Sequence, residues 1–286
     1  MSDAVPSSPA PRARDRRQRV QAAETGIQVL KGLATLGGRA GLSALATRIG
    51  ESPAKVHRYL VSLMEGGLVA QDASTQQYYL GTAAIEIGLA AMRQIDPVRY
   101  AEASLVRLRE SLQVTCFIAV MGNLGPTILR FEEPGLPVTV NVRAGSVLPV
   151  LWSATGRAFL GMAEDASVAM LAQAELAAAP PARRATLDPD DPIGALQRQV
   201  RQAGCASVRD TNLPGISAVA AAIHDYTGRV VAVLTALGAS GGFDAGIDGA
   251  NARAVRAEVD AVSRALGYEG VGPREEAGRV GSEGAA

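Results

Sequence analysis

The stretch LSALATRIGESPAKVHRYLVSLMEGGLVAQD, residues 42 to 72, decides how the front of the chain folds. Leu42, Leu45, Ala46 and Ile49 repeat at i, i+3, i+4 and i+7, the spacing of one helical face, and Gly50 stops that helix after about two turns. A turn follows. Ser52 then precedes Pro53, an N-cap oxygen followed by the residue best tolerated at the first helical position, so a new helix starts there. Along it Val56, Tyr59, Leu60, Leu63 and Met64 share one face, while Ala54, Lys55, Arg58 and Ser62 point toward the other. Past Gly66-Gly67, residues 68 to 81 form two short strand-like runs around a polar turn, the pattern of a small hairpin.

Upstream, Ile27, Leu30, Leu33 and Ala34 predict one more helix with those residues on its core face, ending at Gly37-Gly38. Helix, helix, turn, helix, hairpin is the order of a winged helix-turn-helix. Each piece alone is more commonly plain core packing. The ordered series, together with basic residues facing outward on the third helix, carries the assignment.

Downstream, Thr82 is expected to cap a helix, TAAIEIGLAAMRQ, with a stripe of Ile85, Leu89 and Met92. Asp96-Pro97 starts another, with Val98, Ala101, Leu105, Leu108 and Leu112 on one side. From Val114 the period shifts toward strand, and VTCFIAVMG, PTILRFEE and PVTVNVR predict a three-stranded meander. Helical blocks are expected at Ser153 to Met162, Asp165 to Ala174 and Pro192 to Ala203. Two strands, ISAVAAAIHDY and RVVAVLTALG, follow, joined at Thr227-Gly228, and a closing helix runs from Asp248 to Leu266. The pattern predicts an α+β arrangement with helices packed on a sheet.

At 286 residues the chain favours two modest domains, and 48% hydrophobic with 20% charged residues is an ordinary globular composition. The longest apolar runs, ISAVAAAI and VVAVLTAL, fall far short of the roughly 20 residues of a membrane helix. No apolar run follows the charged N-terminal stretch, so a cytoplasmic location is expected. A net charge of zero conceals an asymmetry: residues 1 to 80 carry 10 Lys+Arg against 6 Asp+Glu, and residues 81 to 286 carry 18 against 22. The basic front suits a polyanion partner. Residues 1 to 20, with arginines at 12, 14, 16, 17 and 19, and residues 269 to 286 are expected to be disordered tails.

Enzyme signatures fail. GASGG, residues 238 to 242, imitates a nucleophile elbow around Ser240, but no helix follows at once and no histidine comes later in the chain. No phosphate-binding or zinc-protease motif is present. His57, beside the core face of the third helix, and His224, at a strand end, read as structural histidines. Asp190 and Asp191 read as helix-start residues before Pro192. With Cys116 and Cys205 as the only cysteines, no metal or disulfide framework is expected, and no cofactor.

The blocks at 42 to 72 and YYLG at 78 to 81, then GSVLPVLWSATGRAFLG at 145 to 161 and GISAVAAAIHDYTGRVVAVLTALG at 215 to 238, resemble the IclR family of bacterial transcriptional regulators over about residues 22 to 267. The resemblance implies an N-terminal winged helix-turn-helix (21–81), a linker helix (82–96) and a GAF-like α/β effector-binding domain (97–268). It implies double-stranded operator DNA and a small-molecule effector as partners, dimers of dimers through the effector domain, and no enzymatic chemistry. A homodimer is already the expected minimum, because one winged module covers too little DNA and paired modules on two half-sites raise affinity and specificity.

DNA contacts are expected from Ser52, Pro53, Ala54, Lys55, His57, Arg58 and Ser62, with Gln76 and Gln77 of the wing near the backbone or minor groove. His57 and Arg58 match the family pattern, whereas Ala54 and Lys55 replace small hydroxylated residues. For the effector the resemblance implies Val140, Ala154, Thr155, Val208, Ala218, Thr235 and Leu237. Val208, Ala218 and Leu237 stand where the family often carries acidic or polar groups, which points to an apolar or aromatic ligand. Trp152 replaces a small residue; it could stack on a ring or serve the core or an interface. The competing readings are a sensor acting through protein contacts and, more remotely, a serine hydrolase.

Overall fold

A computed structural model describes residues 20–135 and 143–270 of the chain. Contacts divide it into two compact units, Met1–Gln94 and Ile95–Ala286.

The first unit contains α1 (Gln21–Thr35), β1 (Arg39–Ala40), α2 (Leu42–Ile49), α3 (Pro53–Glu65), β2 (Val69–Gln71), β3 (Tyr78–Leu80) and α4 (Thr82–Met92). Gly50 ends α2 in the left-handed region at φ 71°, a conformation that costs a residue without a Cβ little. The Ser52 side chain accepts the Lys55 N–H at 3.3 Å and Pro53 occupies the first turn, so α3 begins where its residues dictate. Val29, Leu33, Leu45, Ala46, Val56 and Leu60 close a core against Val69 and Tyr78 of the hairpin. Leu60 is fully buried, and its truncation to alanine costs about 2–5 kcal/mol. The three strands pair antiparallel in the order β1-β3-β2.

Two expectations are corrected in this unit. The buried face of α1 is Thr25, Val29, Gly32 and Leu33, while Ile27 is 52% exposed and Ala34 is exposed too. The cause is Gly32: a Cβ there would stand 2.6 Å from the Ile49 side chain, so the closest helix contact falls on a residue that carries no apolar signal. At α4 the N-cap is Gly81, without a side-chain cap, and Thr82 is the first helical residue.

The second unit contains α5 (Pro97–Leu112), β4 (Thr115–Gly122), β5 (Gly125–Glu132), α6 (Ala154–Met162), α7 (Ala166–Ala178), α8 (Pro181–Arg184), α9 (Pro192–Ala203), β6 (Ala206–Arg209), β7 (Ile216–His224), β8 (Val230–Ala239) and α10 (Ala250–Ala265). Five antiparallel strands form one sheet in the order β5-β4-β8-β7-β6. Alternate residues feed two cores. Ala218, Ala220 and Ala222 of β7 join the α6 side, and Val219, Ala221 and Ile223 join the side of α5 and α10. With both faces covered, β7 and β8 read as continuous apolar runs. Asp191 caps α9 by accepting the Gly194 N–H at 2.9 Å, as its place before Pro192 predicts. The strand expected at PVTVNVR lies almost wholly outside the described residues, and Val140 with it. β1, β6 and α8 carry too few residues for a period to show. Among the described residues no helix is long and apolar enough to cross a membrane.

Candidate functional site

In the first unit, α3 exposes Pro53, Ala54, His57, Arg58 and Ser62 along one side. His57 is thus a surface residue, against its reading as a structural one. Position 57 follows the buried Val56 and lies off the buried face of α3. Lys55 is half-buried, and its Nζ lies 2.7 Å from Glu51 Oε1, so its charge is partly spent within the chain. The side chains of His57 and Arg58 have no hydrogen bond or ion pair among the described residues. They are the polar groups on this face with the most unused capacity.

The wing is built around one carboxylate. Asp72 accepts hydrogen bonds from Ser74 Oγ at 2.6 Å and from the Ser74 and Thr75 N–H groups at 2.9 and 3.1 Å, and Arg39 stands 3.2 Å away. These donors, the Ser74 hydroxyl first, hold its carboxyl well below the usual carboxylate range. Gln76 sits at the wing tip with φ 57°, and its amide is turned inward, donating to Ala73 O at 2.9 Å and accepting from Gln71. Gln77 is half-buried.

In the second unit, a small cavity of about 40 Å³ opens where the N-terminus of α6 meets β4, β6, β7 and β8. Ala154, Thr155, Val208, Ala218, Thr235 and Leu237 line it together, as do Phe117, Leu148, Ser153 and Ile216. Asn212 and Leu213, from the β6–β7 loop, complete the wall. Trp152 is 4% exposed and is not part of the lining. Its indole lies beneath the Arg183 guanidinium, 5.0 Å from ring centroid to Cζ.

Local chemistry fixes the position of α6. A Cβ on Gly156 would come within 2.3 Å of Pro149 O and 2.4 Å of Val150 Cα, so only glycine lets the first turn press against residues 149–151. Ser153 caps the helix, accepting the Gly156 N–H at 2.9 Å and donating to Pro149 O at 2.6 Å. Glu175 accepts the Val150 and Leu151 N–H groups at 2.6 and 2.9 Å, and Arg157 Nε donates to Leu151 O at 2.7 Å. Burial lowers Arg157 to about 10. At the cavity floor the hydroxyls of Thr155 and Thr235 lie 2.9 Å apart, both 1% exposed. Two hydroxyls own two protons and their mutual bond uses one, which leaves one donor for an occupant.

A larger cleft of about 860 Å³ lies at the other end of the same helix, among Met162, Arg201, His224, Tyr226, Arg229 and Tyr268. It contains none of the residues expected to bind the effector. Ser240 is held in a structural chain: it donates to Asp210 Oδ1 at 2.8 Å and shares a 2.9 Å hydrogen bond with Ser217. Both cysteines are buried, and burial pushes the Cys116 thiol up to about 12, far from thiolate chemistry at neutral pH.

Comparison with known proteins joins these two sites to one family. The family model for the IclR helix-turn-helix domain matches residues 22–73, and that for the bacterial transcriptional regulator IclR C-terminal region matches residues 89–264. The chain belongs to the IclR family. Among solved structures, HmgR of Pseudomonas aeruginosa is 40% identical, covers 88% of this chain and 100% of its own, and superposes with a TM-score of 0.80. The regulator BhcR of Paracoccus denitrificans is 26% identical, over 91% of this chain and 90% of its own length. The repressor AllR of Escherichia coli K12 is 25% identical, over 77% and 80%.

As an IclR-family transcriptional regulator, the chain pairs a helix-turn-helix DNA-binding domain with an effector-binding domain. Sequence reasoning missed Phe117, Leu148, Ser153, Asn212, Leu213 and Ile216 as cavity residues. The strand period would have found Phe117, which shares a face with Ala119 in the same core as Ala218. Asn212 and Leu213 sit in a loop without periodicity, and no local signal marks them.

Proposed function

We propose that this IclR-family regulator reads its operator with the exposed face of α3 and responds to a small, largely apolar or aromatic molecule in the cavity at the start of α6. The observation that carries the reading is the cavity's lining. Phe117, Leu148, Val208, Ala218 and Leu237 make apolar walls, and the Thr155–Thr235 pair sets one spare hydroxyl donor at the floor. The first turn of α6 adds backbone N–H groups that suit a carboxylate. This mix favours an aromatic ring bearing an oxygen or an acid group over a tiny, very polar acid.

A free volume of about 40 Å³ holds little more than a water, whereas an apolar cavity that takes benzene is nearer 150 Å³. The pocket therefore has to enlarge around a ring. The domain plan carried forward is winged helix to residue 81, linker helix 82–96 and effector domain 97–268, in a cytoplasmic homodimer. On α4, Ile85, Ile87, Leu89 and Met92 are 59%, 61%, 43% and 36% exposed and no residue is buried, a composition that suits a partner helix.

The test is a thermal-shift panel of aromatic acids, simple aromatics and small polar acids. Ligand that binds only the folded state raises Tm by linkage, and about 100-fold saturation is worth roughly 2.7 kcal/mol. Aromatic acids should shift the wild type, and Ala218→Phe, which fills the cavity, should not respond while still binding DNA. A shift with small polar acids alone contradicts the apolar reading.

A further inference from the structure

Most of the cavity wall is immobile by construction. Phe117, Ala154, Thr155, Ala218, Thr235 and Leu237 are buried on strands or on α6, paired or packed on all sides. Leu148 and Ser153 lie outside the elements but are buried and hydrogen-bonded, Leu148 N–H to Pro126 O at 2.8 Å and Ser153 at the α6 cap, so the exposed part of the wall is the loop between β6 and β7. Leu213 is 44% exposed, Asn212 is half-buried, and both line the cavity without belonging to any helix or strand. The loop is bounded by two residues in the left-handed region, Asp210 at φ 57° and Gly215 at φ 79°, so its ends are turns rather than continuations of the strands.

Backbone bonds close the loop at its ends, from Asp210 N–H to Ile216 O at 2.9 Å, Ile216 N–H to Leu213 O at 3.2 Å and Ser240 N–H to Gly215 O at 2.8 Å, and two side chains fasten it further. At its base, Asp210 Oδ1 accepts the Gly215 N–H at 2.7 Å and the Ser240 hydroxyl at 2.8 Å, closing the turn on itself. Across its middle, Arg183 of α8 donates from Nη2 to Thr211 O at 2.9 Å and to Asn212 O at 3.4 Å, and the same guanidinium sits over the Trp152 ring, its Cζ 5.0 Å from the centroid. Trp152 in turn immediately precedes Ser153 and the cavity-lining start of α6. One guanidinium thus ties the loop side of the cavity to the start of α6. The closed arrangement also carries a cost, because the Thr211 hydroxyl is buried without a hydrogen-bond partner among the described residues.

We propose that residues 211–214 form the movable mouth of the effector cavity and that Arg183, stacked on Trp152, is the positioning residue that latches it. The inference rests on the effector reading above only for what passes through the mouth; the latch itself concerns the free protein. Arginine suits the role because it stacks and donates in one plane, which a lysine cannot do.

The experiment compares wild type, Arg183→Lys and Arg183→Met by amide hydrogen exchange in the absence of any ligand. Loss of a charge-assisted hydrogen bond is expected to quicken exchange at residues 211–216 about tenfold in Arg183→Met, with β7 and β8 unchanged and Arg183→Lys in between. Trp152 is the only tryptophan of the chain, so acrylamide quenching of its fluorescence reads the other side of the latch and should rise in Arg183→Met. With benzoate as a probe, binding and release followed by the same fluorescence should both quicken. Unchanged exchange at 211–216, or an increase spread evenly over the sheet, overturns the latch. Faster exchange with unaltered benzoate rates overturns its role at the mouth. Because the exchange measurement uses no ligand, its failure is separate from a failure of the apolar-effector reading, which the thermal-shift panel decides.

Discussion

On α3, the helix proposed to read the operator, Lys55 is paired with Glu51. The pair joins Glu51, just ahead of the Ser52 N-cap, to Lys55 in the first turn of α3 and is partly exposed, so it is worth about 0–1 kcal/mol to the fold, too little to fix Lys55 against a phosphate or a guanine edge. Glu51→Gln should therefore tighten operator binding and steepen its salt dependence, since it frees one cation and removes one anion from the face. Lys55→Ala should weaken cognate binding by about 1–3 kcal/mol and relax discrimination at one base pair; equal loss on scrambled duplex would assign it to a phosphate instead. His224 makes a different statement. Burial, outweighing the attraction of Asp225 and Asp260, lowers its pKa below the ordinary 6.5, and its ring stacks on Tyr268 at 4.8 Å. The unfolded chain then takes up the proton more readily, so this contribution to stability is complete above pH 6.5 and is lost as pH falls below it. Chemical denaturation between pH 7 and 5 should show that decline in the wild type and a flatter profile in His224→Gln.

At the scale of elements, the wing is predicted to depend on Asp72. Asp72→Asn keeps the shape but gives up the charge that organises Ser74 and Thr75, so amide exchange at residues 73–76 should quicken while α3 keeps its protection. On α4, Ile85→Glu combined with Leu89→Glu should convert a dimer to monomer in analytical ultracentrifugation without unfolding either unit, because neither residue is buried in the chain itself. The same contrast explains what the sequence reveals. α3 and α9 are legible through their helical periods and the local starts Ser52-Pro53 and Asp191-Pro192, and β7 and β8 through two apolar runs parted by the turn at Thr227-Gly228. The burial of α1 is not, because Gly32 holds the centre of the contact. Nor is the fastening of the β6–β7 loop, since Arg183 reaches Trp152, Thr211 and Asn212 only through the fold.

For the whole molecule, a ligand in the proposed effector cavity and a duplex on α3 are expected to bias one another's affinity. Such coupling is reciprocal and needs no contact between the two ligands, only states that each binds unequally. The expected cavity lining of Ala154, Thr155, Val208, Ala218, Thr235 and Leu237 comes together in one place, while Trp152 stands behind it. That convergence on one apolar pocket makes Ala218 the position from which the coupling can be cut without touching the DNA-binding unit. The direct measurement is fluorescence anisotropy of a duplex selected by the protein from random sequence, titrated with and without the aromatic acid that gives the largest thermal shift, in wild type and in Ala218→Phe. The acid is expected to change wild-type affinity by about 5- to 150-fold, and Ala218→Phe to bind the duplex as the unliganded wild type does and ignore the acid. Wild-type affinity that stays constant at saturating acid, or an Ala218→Phe variant that responds as the wild type does, would contradict the proposed coupling.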